Sequence, residues 1–437
     1  MAASETLVVR ARAAARAELT PAVLVVAAAL PVVFLHVNYQ PGFSIRLAST
    51  RVGVELSDLA IVAVALAAAW QGLRSGFGAL RAALPLWFAS AALLIWILAR
   101  SESVKHAVTA AKFTEYALLA LAMPVLLRRR SDWELVAAVI VIWSGVATLV
   151  GLLQFFGVDI AAAWTAGRRQ PSFLGHNDFA ALSALALGIG LAAIVFERRA
   201  IGWAPIASGV LGAVLAGATS GLIGIAAGAC ALLYAAWRRR VLTPASIVLC
   251  AVAVGVVAAG VLTLRAGDYD AFIRFLHIRR NEHAQRTGVE TYAQHTLLAY
   301  IGYRIWRAHP VVGAGWQGST DPENVDPQLP AAHKEFPNVS PISFPTRAHE
   351  WGVQDAYVQA LADLGAIGLV LWLAPFAIAL VLALSGNAPP GAIAAFAVLA
   401  AGGLWVGQGL VAGLPLDALT WLGFGLAATA VARARRG

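Results

Sequence analysis

The chain has 437 residues, 60% of them hydrophobic and 13% charged, with a mean hydropathy of +0.74. Soluble domains carry nearer a quarter charged residues, so an ordinary soluble domain is excluded. The net charge of +9 sits in basic clusters between apolar runs, which argues against nucleic-acid binding and for clusters that set membrane orientation.

The apolar runs are about 18–22 residues long, the length that crosses a ~30 Å hydrocarbon core as helix. They show no period-two alternation, which argues against a β-barrel. The first run follows Arg10, Arg12 and Arg16 and is read as an uncleaved first span, because many spans come after it. In chain order, twelve spans are predicted at 20–37, 56–72, 83–99, 110–127, 134–156, 178–196, 202–217, 220–237, 243–264, 356–384, 389–410 and 413–432. The seventh and eighth are separated only by Ala218-Thr219-Ser220-Gly221 and should form a tight helical hairpin. Cys230 and Cys250 both fall in apolar runs and read as small core residues.

If the N-terminus is cytoplasmic, the inner loops carry Arg74, Arg81, Arg128-Arg129-Arg130, Arg198-Arg199 and Arg238-Arg239-Arg240. The expected fold is therefore an all-α polytopic membrane protein with about twelve transmembrane helices and both termini cytoplasmic. Residues 1–264 hold spans one to nine, 265–355 form one long exoplasmic loop, and 356–437 hold spans ten to twelve. All nine histidines fall on the outer side, six of them in the loop. Imidazoles gathered on one face suit proton transfer, although a long polar loop also collects them by chance. Residues 281–309 are rich in helix formers, and 292–306 has the apolar content to lie along the membrane surface. Residues 310–345 hold seven prolines and read as ordered coil or a lid.

Three motifs carry chemistry. The first is Arg168-Arg169-Gln-Pro-Ser-Phe-Leu-Gly-His-Asn177-Asp178, at the start of span six. Guanidinium forks beside a helix N-terminus favour phosphate oxygens. The plainer alternatives are interfacial arginines and a cap from Asn177 or Asp178. The second is His309-Pro310-Val-Val-Gly313-Ala-Gly315-Trp316, whose glycines permit a tight turn. The third is Gln354-Asp355-Ala-Tyr-Val-Gln359 with Asp363-Leu-Gly365-Ala-Ile-Gly368, leading into span ten. Buried polar groups there are costly unless paired or functional, and Asp363 is the main charge expected inside a span. His349-Glu350 does not continue to His-Glu-x-x-His, and there is no Gly-Lys-Ser/Thr phosphate loop.

These motifs, in this order, resemble the superfamily of O-antigen ligases and Wzy-type polymerases from about Arg168 to Leu373. The resemblance implies a metal-independent membrane glycosyltransferase of the GT-C type without cofactor, in a bacterial cytoplasmic membrane. The donor would be a glycan on undecaprenyl pyrophosphate, and the acceptor a hydroxyl on a glycan, lipid A-core or another molecule. It would place Arg168 or Arg169, Asn177, and Arg286 or Arg304 at the donor pyrophosphate. Two positions depart from the family pattern. The usual His-Asn pair falls on Gln354-Asp355, so His349 or Asp355 would act on the acceptor hydroxyl, glutamine being unable to serve as a base. The arginine usual before the Pro-Gly turn aligns with His295, which the resemblance would also place at the donor pyrophosphate, with Arg286 and Arg304 as the nearby candidates to replace that arginine. The alternatives are a transporter or glycan-lipid flippase, which would place polar residues at mid-membrane, and a homologue without catalysis.

Overall fold

The computed structural model describes residues 20–47, 50–275, 291–337, 339–346, 351–387, 389–410 and 415–435. The chain opens with α1 (Pro21–Val33), a β1 (Gly42–Leu47) and β2 (Thr50–Glu55) hairpin, and α2 (Leu56–Ser75). Then come α3 (Leu84–Ala99), α4 (Val104–Glu115), α5 (Ala117–Leu126), α6 (Arg130–Phe155) and α7 (His176–Glu197). The next helices are α8 (Trp203–Ala216), α9 (Thr219–Arg238), α10 (Pro244–Leu264), α11 (Ala266–Phe275) and α12 (Thr291–Ala308). Two short helices, α13 (Pro322–Val325) and α14 (Leu329–Glu335), precede α15 (Ala356–Ser385), α16 (Pro390–Leu404) and α17 (Pro415–Ala434).

A helix lies at each of the twelve predicted positions. Among the described residues nine helical segments are long and apolar enough to cross a membrane, with Pro21–Val33 and Ala200–Ala216 shorter. The protein is thus a mostly helical, multi-pass membrane protein. Among the described residues the antiparallel β1–β2 hairpin departs from an all-α expectation. It pairs Gly42 with Glu55 and Leu47 with Thr50. Local signals explain several helix starts. Thr243 caps α10 ahead of Pro244, Ser103 caps α4, and Glu55 with Asp58 forms a capping box on α2.

The core is built on α7 and α16, which are buried around most of their circumference. Small residues set the spacing of α9 and α16. A Cβ on Gly224 would sit 2.6 Å from the Ala400 carbonyl oxygen, and one on Gly403 would sit 2.3 Å from the Gly224 nitrogen. Backbones can approach this closely only where side chains are absent, which is how helices associate when lipid is as apolar as leucine.

The two ends of the bundle differ in charge. At one end Arg130 pairs with Glu134 and Glu197, Arg199 pairs with both glutamates, and Arg238 and Arg239 donate to the Leu384 and Gly386 carbonyls. The long polar loop occupies the other end, called here the loop face. Helices α2, α4, α7, α9, α15 and α17 begin at it.

Buried charge is more widespread than the Asp363 exception expected from sequence. Asp58, Asp178 and Asp417 are all buried, and Lys112 pairs with Asp58. Asp58, Asp178 and Asp417 each lie in the first turn of their helix, and Lys112 in the third turn of α4. Asp178 and Asp417 each stand at the edge of a long apolar run, which dilutes their signal, whereas Asp58 follows Glu55 and Lys112 precedes Glu115. Their position still concentrates polarity toward the loop face rather than at mid-membrane.

Candidate functional site

The loop before α7 is fastened by amides. Gln154 accepts from Ser172 N at 2.9 Å and donates to the Ile160 carbonyl at 2.7 Å. Gln170 is fully buried and accepts from Trp164 N at 2.9 Å while donating to Thr165 and Arg168 carbonyls. Its own N–H donates to the Leu215 carbonyl at 2.8 Å, tying the loop to the end of α8. These bonds separate the two neighbouring arginines. Arg168 is exposed, whereas Arg169 is turned inward, packed on Gly217, with its guanidinium 4.6 Å from the Trp164 ring centre. Burial and the nearby Arg265 lower the Arg169 pKa to about 10.

Arg265 was not singled out by sequence. It follows the last residue of α10 and is 5% exposed. Its Nε donates to Asp268 at 2.8 Å, and Nη1 reaches the Gly217 carbonyl at 3.3 Å and Thr219 Oγ1 at 3.4 Å. The guanidinium lies 4.6 Å above the Tyr292 ring. Its buried Nη2 has no partner among the described residues. Thr219 also bonds the hydroxyls of Tyr269 and Tyr292 at 2.8 and 2.7 Å, and those two rings stack at 5.5 Å. The α8–α9 turn, the end of α10, α11 and α12 thus converge on one point. The signal available in the sequence was only an arginine at a span end, which also describes many interfacial arginines.

His295 lies three residues beyond Tyr292 on α12, on the same helix face. It is next to Arg265 and Arg169, and the Gln354 side chain hydrogen-bonds its ring. Burial first, then the two guanidiniums, lower its pKa to about 4. His176, at the start of α7, adds a second imidazole nearby. Its Nδ1 is 3.2 Å from the Ala216 carbonyl and its ring meets Trp164 edge-on at 4.2 Å. Among the described residues the arrangement holds two guanidiniums against one carboxylate, Asp268, a balance that favours an added anion.

The other expected residues take different places. Arg304 donates to Gln328 Oε1 at 3.0 Å. It is nine residues from His295, which puts it on the opposite face of α12. Asn177 donates to Gln408 Oε1 at 2.6 Å and so braces the segment after α16. Neither Asn177 nor Asp178 caps α7, because the helix starts at His176 after Gly175; Asp178 instead accepts from Leu416 N at 3.2 Å. Asp355 caps α15, its Oδ1 accepting from Tyr357 N at 2.9 Å and Val358 N at 3.0 Å. Burial still raises its pKa, with both amides opposing. Arg286 and His349 lie outside the described residues.

The second and third motifs form one unit. α15 breaks at Gly365, which has φ +72° and ψ −170°. The freed amides of Ala366 and Ile367 donate to Pro310 and Val311 carbonyls, while Ala314 and Gly315 amides donate to Ala362 and Asp363 carbonyls. The fully buried Asp363 accepts from Ser319 N at 2.7 Å, Gln359 Nε2 at 2.9 Å and Gln317 N at 3.2 Å. Asp363 is therefore a structural anchor, and the Pro-Gly turn is its partner.

Residues 204–373 match the family model described as O-antigen ligase, so the resemblance read from the motifs holds for that segment. The match contains Arg265, His295, Gln354 and the Pro310–Gly368 unit, while Arg169 lies before it. No curated protein matches the chain.

Proposed function

We propose that the protein is a glycosyltransferase of cell-envelope polysaccharide synthesis. It moves a glycan from undecaprenyl pyrophosphate to an acceptor hydroxyl, as a ligase or polymerase, at the outer side of a bacterial cytoplasmic membrane. The observation that carries the reading is the Arg169–Arg265 pair, two guanidiniums close enough to repel, with Asp268 bonded to Arg265 and an Arg265 Nη2 that is buried without a partner among the described residues.

A diphosphate between the two arginines replaces their mutual repulsion with charge-assisted hydrogen bonds. As the sugar carbon–oxygen bond breaks, negative charge grows on the departing diphosphate, and the guanidiniums are already placed to receive it. Asp268 holds Arg265 in orientation rather than neutralising the whole site. Attack from the face opposite the diphosphate inverts the sugar carbon. The free energy comes from the donor bond, so the arginines supply positioning and charge without a metal. With the loop face outside, the arginine-rich end is cytoplasmic, in accord with the charge rule for membrane loops.

The test is transfer by the purified full-length protein from an undecaprenyl-pyrophosphate glycan to a panel of glycan and lipid A-core acceptors, with released lipid diphosphate as the readout. Arg265→Ala and Arg169→Ala should each lose roughly 10- to 100-fold in kcat/KM for the donor. That corresponds to a charge-assisted bond of about 1.5–3 kcal/mol. Arg265→Lys should recover only part, because an ammonium lacks the planar fork. Arg168→Ala should have the smaller effect. Solute uptake into vesicles without transfer to any acceptor would overturn the reading.

A further inference from the structure

The arginine-rich end of the bundle, away from the loop face, holds a cavity that the transfer reading does not use. Its volume is about 440 Å³, a size typical of ligand sites. Three helices meet around it. Ile194 comes from the last turn of α7, Arg198 and Arg199 from the turn that follows, Trp203 from the start of α8, and Ala245 and Leu249 from the first two turns of α10. Ile194 and Leu249 are partly buried there, whereas Trp203 and Ala245 are exposed, so the cavity opens on the outside of the bundle.

The charges beside it do not balance. Arg130 pairs with Glu134 and Glu197, and Arg199 pairs with the same two glutamates. Arg198 lines the cavity, is exposed, and makes no ion pair among the described residues. Its backbone is left-handed, with φ +52° and ψ +34°, in a helix-ending turn that glycine makes with less strain. The arginine side chain thus brings something the turn does not need, a guanidinium beside an apolar recess. The start of α10 adds the positive end of its helix dipole.

These parts match those of a phospholipid. A guanidinium suits the phosphate, an exposed tryptophan suits the membrane–water interface, and the apolar recess suits an acyl chain. With the arginine-rich end cytoplasmic, the adjoining leaflet is the one that carries anionic lipid, and basic pockets between spanning helices on that side hold anionic headgroups. We propose that the cavity binds an anionic phospholipid of the cytoplasmic leaflet, with its phosphate on Arg198 and one acyl chain along Ile194 and Leu249. A free anion would leave the apolar wall uncovered, and a lipid without net charge would leave Arg198 uncompensated. The proposal rests on the orientation given above and not on the transfer reaction.

The same helices carry the arginine pair at their other ends, where Arg169 packs on Gly217 after α8 and Arg265 follows α10. A lipid seated in the cavity fastens the cytoplasmic ends of α7, α8 and α10 to one another. It binds the folded state, so it should raise the thermal midpoint as its concentration rises.

The experiment titrates the full-length protein in detergent with phosphatidylglycerol, with phosphatidylcholine of the same acyl chains, and with glycerol 3-phosphate. Bound lipid is counted by native mass spectrometry, and the thermal midpoint is read in parallel. The wild type should bind phosphatidylglycerol more tightly than phosphatidylcholine and be stabilised by it, with no effect of glycerol 3-phosphate. Arg198→Ala should weaken phosphatidylglycerol binding by about tenfold, the worth of one charge-assisted hydrogen bond, and erase the preference. Arg240 is the matched control, because it is basic and left-handed at φ +57° yet does not line the cavity. Arg240→Ala should keep the preference. Ala245→Leu, which fills the recess, should weaken both lipids. Equal binding of the two lipids by the wild type overturns the proposal, as does an intact preference in Arg198→Ala. Equal loss in Arg240→Ala also overturns it, by showing only a general surface charge, and stabilisation by glycerol 3-phosphate matching that by phosphatidylglycerol would show a free-anion site instead. Neither readout uses transfer, so a failed transfer assay overturns the enzyme reading alone.

Discussion

Arg265 shows how much one side chain's surroundings decide. In sequence it is the first charge after an apolar run; in the folded protein it is almost wholly buried and joined to Asp268, Gly217, Thr219 and Tyr292. His295 gives a second test at this scale. Its folded pKa of about 4 lies below the ordinary 6.5. Between these values the unfolded chain binds a proton that the native state does not, so stability falls as pH drops from about 6.5 to 4. His295→Gln should therefore lose less stability over that window than the wild type, measured as the thermal midpoint in detergent at each pH. Asp363→Ala should lower the midpoint at neutral pH, because it strands two buried donors, from Ser319 and Gln359, and a part-buried one from Gln317. Each stranded donor costs about 1–3 kcal/mol. Neither partnership was legible in the sequence, since Gln317 and Ser319 lie more than forty residues before Asp363.

The elements around the site reached their roles by different routes. α12 was legible as a helix with apolar content, and the membrane surface was the expected cover. The structure instead buries Leu297, Ile301 and Ile305 with Val325, Ala332, Phe344 and Ala362. A surface-lying helix and a packed one share the same apolar stripe, so pattern alone does not separate them. The segment 310–345 is likewise organised, with α13 and α14 supplying part of that cover. The break in α15 is the most consequential local feature. A Cβ at Gly365 would lie 2.2 Å from the Val311 carbonyl oxygen, and one at Gly313 would lie 2.3 Å from the backbone of Asp363. Both glycines also have positive φ, so a side chain meets steric overlap and an unfavourable backbone region together. Gly365→Ala and Gly313→Ala should each lower the thermal midpoint and increase protease cleavage in 310–316. Unchanged cleavage would show that the loop does not depend on the kink.

At the scale of the whole molecule, two ends of unlike charge imply an orientation. With Cys230 and Cys250 replaced, Glu323→Cys should react with an impermeant maleimide from outside intact cells, and Arg240→Cys only after the cytoplasmic side is opened. The reverse pattern would invert the proposed topology. The sequence by itself determined the membrane class, the positions of the helices at the twelve apolar runs and the basic clusters between those runs. Those properties follow from local composition and from the thickness of a bilayer, so a linear reading suffices. It also carried the resemblance that the family match supports over 204–373. Only the tertiary structure decided which arginine meets Arg169, which side of α12 faces the site, and that His295 touches Gln354. Those pairings join residues 59 to 96 positions apart, through helices whose rotation about their own axes is set by packing against neighbours. A nearly uniform apolar surface carries almost no record of that rotation, and so the sequence could name the chemistry's residue types while leaving their assembly to the fold.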